Sequence, residues 1–230
     1  MAKVFLAVGH GGADPGAVAN GFKEKDLNLV IALACRDELV RHGVEVKMDR
    51  TTDVELSASE TVYMCNSWSP TAALDIHCNA GAGDGAEVFY HYGGGVGKTL
   101  AENILDEVVK IGQNSRGAKT RRGSDGNDYY YFNRDISAPS VIVECAFVDN
   151  KTDMQILDTE AEQKKMGVAI AKGILKTLGV SQKAETTEEV QKPTGKYYRA
   201  QAFAGSKSGA EAMVKKLKAA GFTDAFVSYY

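Results

Sequence analysis

An α/β sheet with helices on both faces is the fold this sequence predicts, and three observations predict it. Short apolar runs alternate along the chain with longer stretches of helical period, the pattern of strands joined by crossover helices. The runs at 4–8, 72–78 and 139–147 are almost continuously apolar, as strands buried on both faces are. Turn residues bound these runs, so each can end sharply.

Val4-Phe5-Leu6-Ala7-Val8 reads as the first buried strand. It opens into Gly9-His10-Gly11-Gly12-Ala13-Asp14-Pro15-Gly16, where glycines permit sharp bends and close approach to the backbone. Residues 26–42 read as a helix with Leu27, Val30, Ile31 and Ala34 on one face and Gly43 at its stop. Glu24 lies at or just before its start. Residues 44–48 alternate as a strand, and 57–68 form a helix ended by Pro70. The strand at 72–78 runs into Asp75-Ile76-His77-Cys78-Asn79-Ala80. A strand at 86–92 and a helix at 97–111 follow. Gly93 to Thr99 mimics a phosphate loop but lacks its spacing, and reads as a turn and helix start. Residues 114–135 show no period and read as a long surface excursion, a length that usually serves function. The strand at 139–147 carries one carboxylate, Glu144. Thr159 and Glu162 form a capping box for a last helix with Met166, Ile170, Ile174 and Leu178 on its inner face.

This first domain spans 1–180. Residues 181–195 are polar, mixed in charge and contain Pro193, the composition of a linker. Residues 196–230 read as one compact β-α-β unit with six basic residues against Glu211 and Asp224, so an acidic body carries a basic module. The whole chain, 230 residues with a formal charge of −3, gives no nucleic-acid signal. No apolar run is long enough to insert in a membrane, and no secretory leader is visible. Cys35, Cys65, Cys78 and Cys145 are widely spaced, which fits thiols filling a core in a reducing compartment and argues against a cysteine zinc site.

Three sheet elements deliver His10, His77 and Glu144 to strand ends, and Glu24 joins from the first helix. Two imidazoles and one carboxylate, with a fourth position open, make a catalytic zinc set. Zinc makes hydroxide available at neutral pH, and a second carboxylate can carry the proton to a leaving nitrogen. The sequence offers two carboxylates for these two tasks. Strand parity points Cys78 and Cys145 away from any cavity lined by His77 and Glu144, which removes Cys145 as a nucleophile. His42 and His91 read as packing or surface residues.

The same motifs resemble the zinc-dependent N-acetylmuramoyl-L-alanine amidases of the amidase-3 type, found in bacterial autolysins and phage endolysins. Gly9-His10-Gly11-Gly12 with Asp14-Pro15-Gly16 is similar to the family's first ligand motif, and Glu24-Lys25-Asp26-Leu27-Asn28-Leu29 to its glutamate segment. Ile76-His77-Cys78-Asn79-Ala80 resembles the second histidine motif. Arg116-Gly117-Ala118-Lys119 and Pro139-Ser140-Val141-Ile142-Val143-Glu144 resemble the late segment. The resemblance covers about 3–180. It implies a mixed sheet of about six strands flanked by helices, with His10, Glu24 and His77 binding zinc and Glu144 as general base and acid. The implied reaction hydrolyses the amide between the N-acetylmuramic acid lactyl group and L-alanine in peptidoglycan. Arg116, Lys119, Arg121 and Arg122 form a basic cluster that reads either as a solvated face or as a surface meeting stem-peptide carboxylates, and Asn79, Arg116 and Lys119 are the candidates for substrate contact. The chain departs from the family pattern at Ala7-Val8, in place of Asp-Pro, and at Ala58 and Thr61, in place of a Leu and an Arg.

Residues 196–230 resemble, more loosely, half of a sporulation-related repeat, a peptidoglycan-binding fold of two β-α-β units. A single unit buries little core, so two tails pairing in a homodimer, or a tail docked on its own domain, are the expectations. Tyr197, Tyr198, Phe203, Lys215 and Tyr229 are its candidate wall-binding residues. Two settings are open, a phage endolysin made in the host cytoplasm and released through a holin pore, which is the favoured expectation, and a mother-cell lysis enzyme made inside and released late. A non-catalytic wall-binding protein and a zinc peptidase cutting within the stem are the competing readings. The intact His10, Glu24, His77 and Glu144 weigh against the first, and the released groups separate the second.

Overall fold

The computed structural model describes residues 1–182, so the expected linker beyond 182 and the module at 196–230, with Tyr197, Tyr198, Phe203, Lys215 and Tyr229, lie outside the described residues. The chain begins with β1 (Lys3–Val8), then a two-residue hairpin, β2 (Val18–Ala19) and β3 (Phe22–Lys23), which leads into α1 (Glu24–Arg41). There follow β4 (Glu45–Met48), α2 (Ala58–Trp68), β5 (Ala72–Asn79), β6 (Ala86–Tyr90), α3 (Val96–Lys110) and β7 (Ser115–Lys119). α4 (Tyr131–Asp135), β8 (Ser140–Phe147), α5 (Lys151–Met154) and α6 (Glu160–Thr177) complete the domain.

Six strands form one sheet in the order β4-β1-β5-β8-β6-β7. All neighbours are parallel except β6 with β8, so the sheet is mixed, as expected. Alternate residues of β1, β5, β8 and β6 face opposite ways. One face sends Val4, Leu6, Leu74, Ile76, Val143 and Val88 into a large core closed by α1, α3 and α6. Gly167 and Gly173 let α6 lie against the backbones of Ile31 on α1 and Ile104 on α3, where a methyl group would collide. The other face packs Phe5, Ala7, Ala73 and Ile142 on α2 and α4 in a smaller cluster. Ser57 and Thr159 cap α2 and α6 with reciprocal bonds to Glu60 and Glu162.

The excursion expected at 114–135 is corrected: it holds β7 and α4. β7 is a sheet edge written Ser-Arg-Gly-Ala-Lys, and charged edge strands carry no apolar alternation to read. α4 spans five residues, too few to show a helical period. No helix among the described residues is long and apolar enough to cross a membrane.

Candidate metal and catalytic site

The site sits at the end of β1 and β5, where the strands give way to glycine turns. His10 adopts a left-handed backbone, φ 62°, followed by Gly11 at 145° and Gly12 at 55°. Such a conformation costs a non-glycine residue about 1 kcal/mol or more and persists only when its surroundings fix it. Buried Arg50 fixes it: its guanidinium donates to the carbonyls of Val8 (3.0 Å), Gly9 (3.1 Å) and Lys25 (3.1 Å), and Asn28 Nδ2 also donates to Gly9 O (3.1 Å). Gly9 leaves room for the His77 ring, which a Cβ there would strike. Gly16 does the same for His10 and Glu24, with a Cβ falling 2.6 Å from Glu24 Oε2. The glycines of the first motif are therefore spaces for the site's own side chains.

Glu24 is the first residue of α1 and is 4 % exposed. Its Oε1 accepts from His77 Nδ1 (2.9 Å) and the Cys78 N–H (3.1 Å). Its Oε2 accepts from the Ala17 N–H (2.9 Å) and lies 3.2 Å from His10 Nε2. Burial alone would push this carboxyl up, but the hydrogen bonds from His10 and His77 overcome it and hold it far below the usual carboxylate range. One donor atom from each of His10, Glu24 and His77 falls within 4.8 Å of the others, so the three can hold a metal ion. Two imidazoles and a carboxylate are a donor set that suits zinc with an open position. The second nitrogen of each ring faces a carboxylate: His10 Nδ1 lies 2.7 Å from Asp14 Oδ2, and His77 Nε2 lies 3.4 Å from Asp75 Oδ1. Such partners set which nitrogen of a ring is free to bind a metal.

Glu144 on β8 is paired in register with His77 on β5. Its Oε2 is buried without a hydrogen-bond partner. Burial pushes its carboxyl up to about 7; His77 pulls it down, and Glu24, Asp75 and Glu87 push it further up. A carboxyl that titrates near neutrality is suited to proton transfer in both directions. Cys78 and Cys145 face the large core, as parity required. The Cys145 thiol beside it, and burial, push the Cys78 thiol well above its ordinary range, so it is no nucleophile.

The family described as Amidase_3, N-acetylmuramoyl-L-alanine amidase, matches residues 4–176. The chain belongs to this amidase family. It is 33 % identical over 233 residues to the N-acetylmuramoyl-L-alanine amidase CwlM of Bacillus licheniformis, covering 100 % of this chain and 85 % of that one. That match extends past residue 176, into the stretch the family match leaves out. An endolysin of Bacillus phage SPP1 is 30 % identical over 190 residues, 79 % of this chain and 68 % of the endolysin. Among solved structures, Cwp6 from Clostridium difficile superposes with a TM-score of 0.76 at 38 % identity, over 77 % of this chain and 29 % of Cwp6.

In this amidase domain a cavity of about 320 Å³ opens beside His10, His77 and Glu144. Asp49, Asp75, Ala58, Thr61, Tyr130 and Ile142 are among its walls, so Ala58 and Thr61, where the chain departs from the family pattern, both face it. Thr61 Oγ1 donates to Asp49 Oδ2 (3.0 Å). On the other side of Glu144, its register partner on β6 is Glu87, which the sequence reading missed. Asn79 Nδ2 donates to Glu87 Oε1 (2.9 Å), and Arg116 Nε (2.8 Å) and Lys119 Nζ (2.5 Å) both donate to its Oε2. The three residues expected to contact substrate are thus gathered on one carboxylate. The signal for Glu87 was the one that exposed Glu144: a lone acid inside a strand. Arg121 and Arg122 instead lie over the rings of Tyr129 (3.7 Å) and Tyr92 (4.1 Å). His42 is buried beside Glu38, and His91 stacks on Tyr92, so neither joins the site.

Proposed function

We propose that this chain is a zinc-dependent amidase that cuts between the lactyl group of N-acetylmuramic acid and L-alanine in peptidoglycan. His10, Glu24 and His77 hold the ion, and Glu144 handles the proton. One observation carries the reading: three ligating atoms of suitable chemistry converge beside a buried carboxylate oxygen with no partner. When bound, zinc polarises the amide carbonyl and makes hydroxide available near neutral pH. Glu144 takes the proton of the attacking water and returns it to the alanine nitrogen as the bond breaks. Asp14 and Asp75 orient the two imidazoles. Asn79, Arg116 and Lys119, gathered on Glu87 beside Glu144, are the residues that contact substrate.

The likeness to a phage endolysin supports a lytic role, with release from the host cytoplasm through a holin pore. Residues 196–230 bind wall or pair two chains. Sedimentation of the full chain reads the pairing, and a monomer at all concentrations excludes it.

Zymography on purified walls, with and without chelator, tests the reaction. Clearing should vanish with chelator, return with zinc, and free N-terminal L-alanine while leaving muramic acid without peptide. Release of any other amine would make the protein a stem peptidase, and chelator-resistant clearing would remove zinc from the mechanism.

A further inference from the structure

Arg116 is built as a receptor with its working edge open. It bonds Glu87 through Nε alone (2.8 Å), and its guanidinium lies over the Phe147 ring, 4.9 Å from the centroid. Those two contacts fix the plane of the group. Its two Nη nitrogens have no hydrogen-bond partner among the described residues, and its side chain is 36 % exposed. A guanidinium held by one edge offers the other as a fork whose two parallel donors match a carboxylate. Lys119 shares the same Glu87 oxygen, so two cations sit on one anion and the cluster keeps a net positive charge. Glu87 itself is 6 % exposed and also takes Asn79, so the scaffold of the fork is buried and bonded at both oxygens.

Distance says which group the fork meets. Glu87 is one strand from Glu144, and Arg116 and Lys119 are on the next strand, β7. Neighbouring strands are about 4.8 Å apart, so the fork stands roughly 5–10 Å from the proton-transfer site. An extended peptide covers about 3.5 Å per residue, which puts the second stem residue, just past L-alanine, within that reach. That residue carries a carboxyl off the main chain, which walls present either free or as the amide.

We propose that Arg116, held by Glu87 beside Lys119, binds this carboxylate and makes the enzyme selective for stems in which it is free rather than amidated. The proposal rests on the amidase reading above. An amide has one acceptor oxygen and presents N–H groups to a donor fork, so it loses one bond and meets a repulsive contact.

The test compares the full chain, zinc-loaded, on N-acetylmuramoyl-L-alanyl-D-glutamate and on its D-isoglutamine amide. The free acid should win by about tenfold to a hundredfold in kcat/KM, the worth of one hydrogen-bonded charge pair. In Arg116→Gln that ratio should fall toward one. Calorimetry on the Glu144→Gln chain reads binding without turnover and should show the same preference in Kd. Equal rates and equal affinities for the two compounds would overturn the selectivity while leaving the amidase reading intact. A preference that survives Arg116→Gln would overturn the assignment to Arg116. Cleavage of neither compound nor walls would instead sink the amidase reading, with the binding preference still deciding the role of the fork.

Discussion

The two faces of the sheet do opposite work with neighbouring residues. On β5, Leu74, Ile76 and Cys78 enter the large core under α1, α3 and α6, while Asp75, His77 and Asn79 point to the face that holds the site. On β8, Val143 and Cys145 flank Glu144 in the same way. The core face is apolar throughout and fixes each strand. The site face has a small cluster around Phe5 and Ile142 and gives the rest of its area to titratable groups and a cavity. Strand parity thus separates stability from chemistry by a single residue step, and a strand can be held rigidly by one face while the other carries strained or charged groups.

Substitutions on each face should break this comparison in different ways. The largest effect is expected at Gly9, whose missing side chain is the space His77 occupies. Gly9→Ala displaces the imidazole, so zinc affinity and wall lysis should each fall roughly a hundredfold or more, beyond what losing a supporting partner costs. Metal content per chain and lysis rate check this together. Full zinc loading in the variant would mean that the His77 ring has another place to go. On the core face, Ile170 of α6 is completely buried. Ile170→Ala should cost about 2–5 kcal/mol in denaturant unfolding, with kcat unchanged for the folded fraction. A comparable loss of kcat would show that the two faces are not independent.

Much of this division is legible before any coordinates. His10, Glu24 and His77 were found because each breaks a recognisable pattern: a histidine closing an apolar run, or an acid opening a helix. Glu144 was found as an acid inside a buried strand. Their shared geometry depends on register between β1, β5 and β8, which no local pattern specifies. β7 escaped because an edge strand needs no apolar face, and with it went the meeting of Arg116, Lys119 and Asn79 on Glu87. No local sequence pattern singles out Asp49 or Asp75. Only the fold shows that both face one cavity.

That pair sharpens the comparison with smaller effects. Asp75 lies behind the His77 ring. Asp75→Asn should weaken zinc binding about tenfold to a hundredfold, as removal of a carboxylate behind a metal-binding imidazole does, with unfolding free energy of the metal-free protein little changed. Zinc titration against a competing chelator measures it. Unchanged affinity would make Asp75 a cavity wall and nothing more.

Asp49 should show the opposite sign to Ile170. Burial, and then the Asp75 charge, push its carboxyl up to about 6, against the efforts of Thr61 and the Val8 and Arg50 N–H groups that bond it. The folded chain therefore binds this proton more tightly than the unfolded chain does. Between the ordinary carboxylate range near pH 4 and about pH 6, the folded state holds more protons, so stability falls as pH rises through that window and levels off above it. At pH 7 the ionised group costs the fold on the order of 1–2 kcal/mol once solvent screening is allowed for. Asp49→Asn removes the charge and keeps an acceptor oxygen. Relative to the parent, the variant should gain about that much stability between pH 4 and pH 7, whatever constant offset its altered hydrogen bonds introduce. Denaturant curves for both proteins at the two pH values give this difference of differences. A flat result would mean that the cavity solvates Asp49 well enough to ionise it at no cost, and that the site face is less strained than its crowding of carboxylates requires.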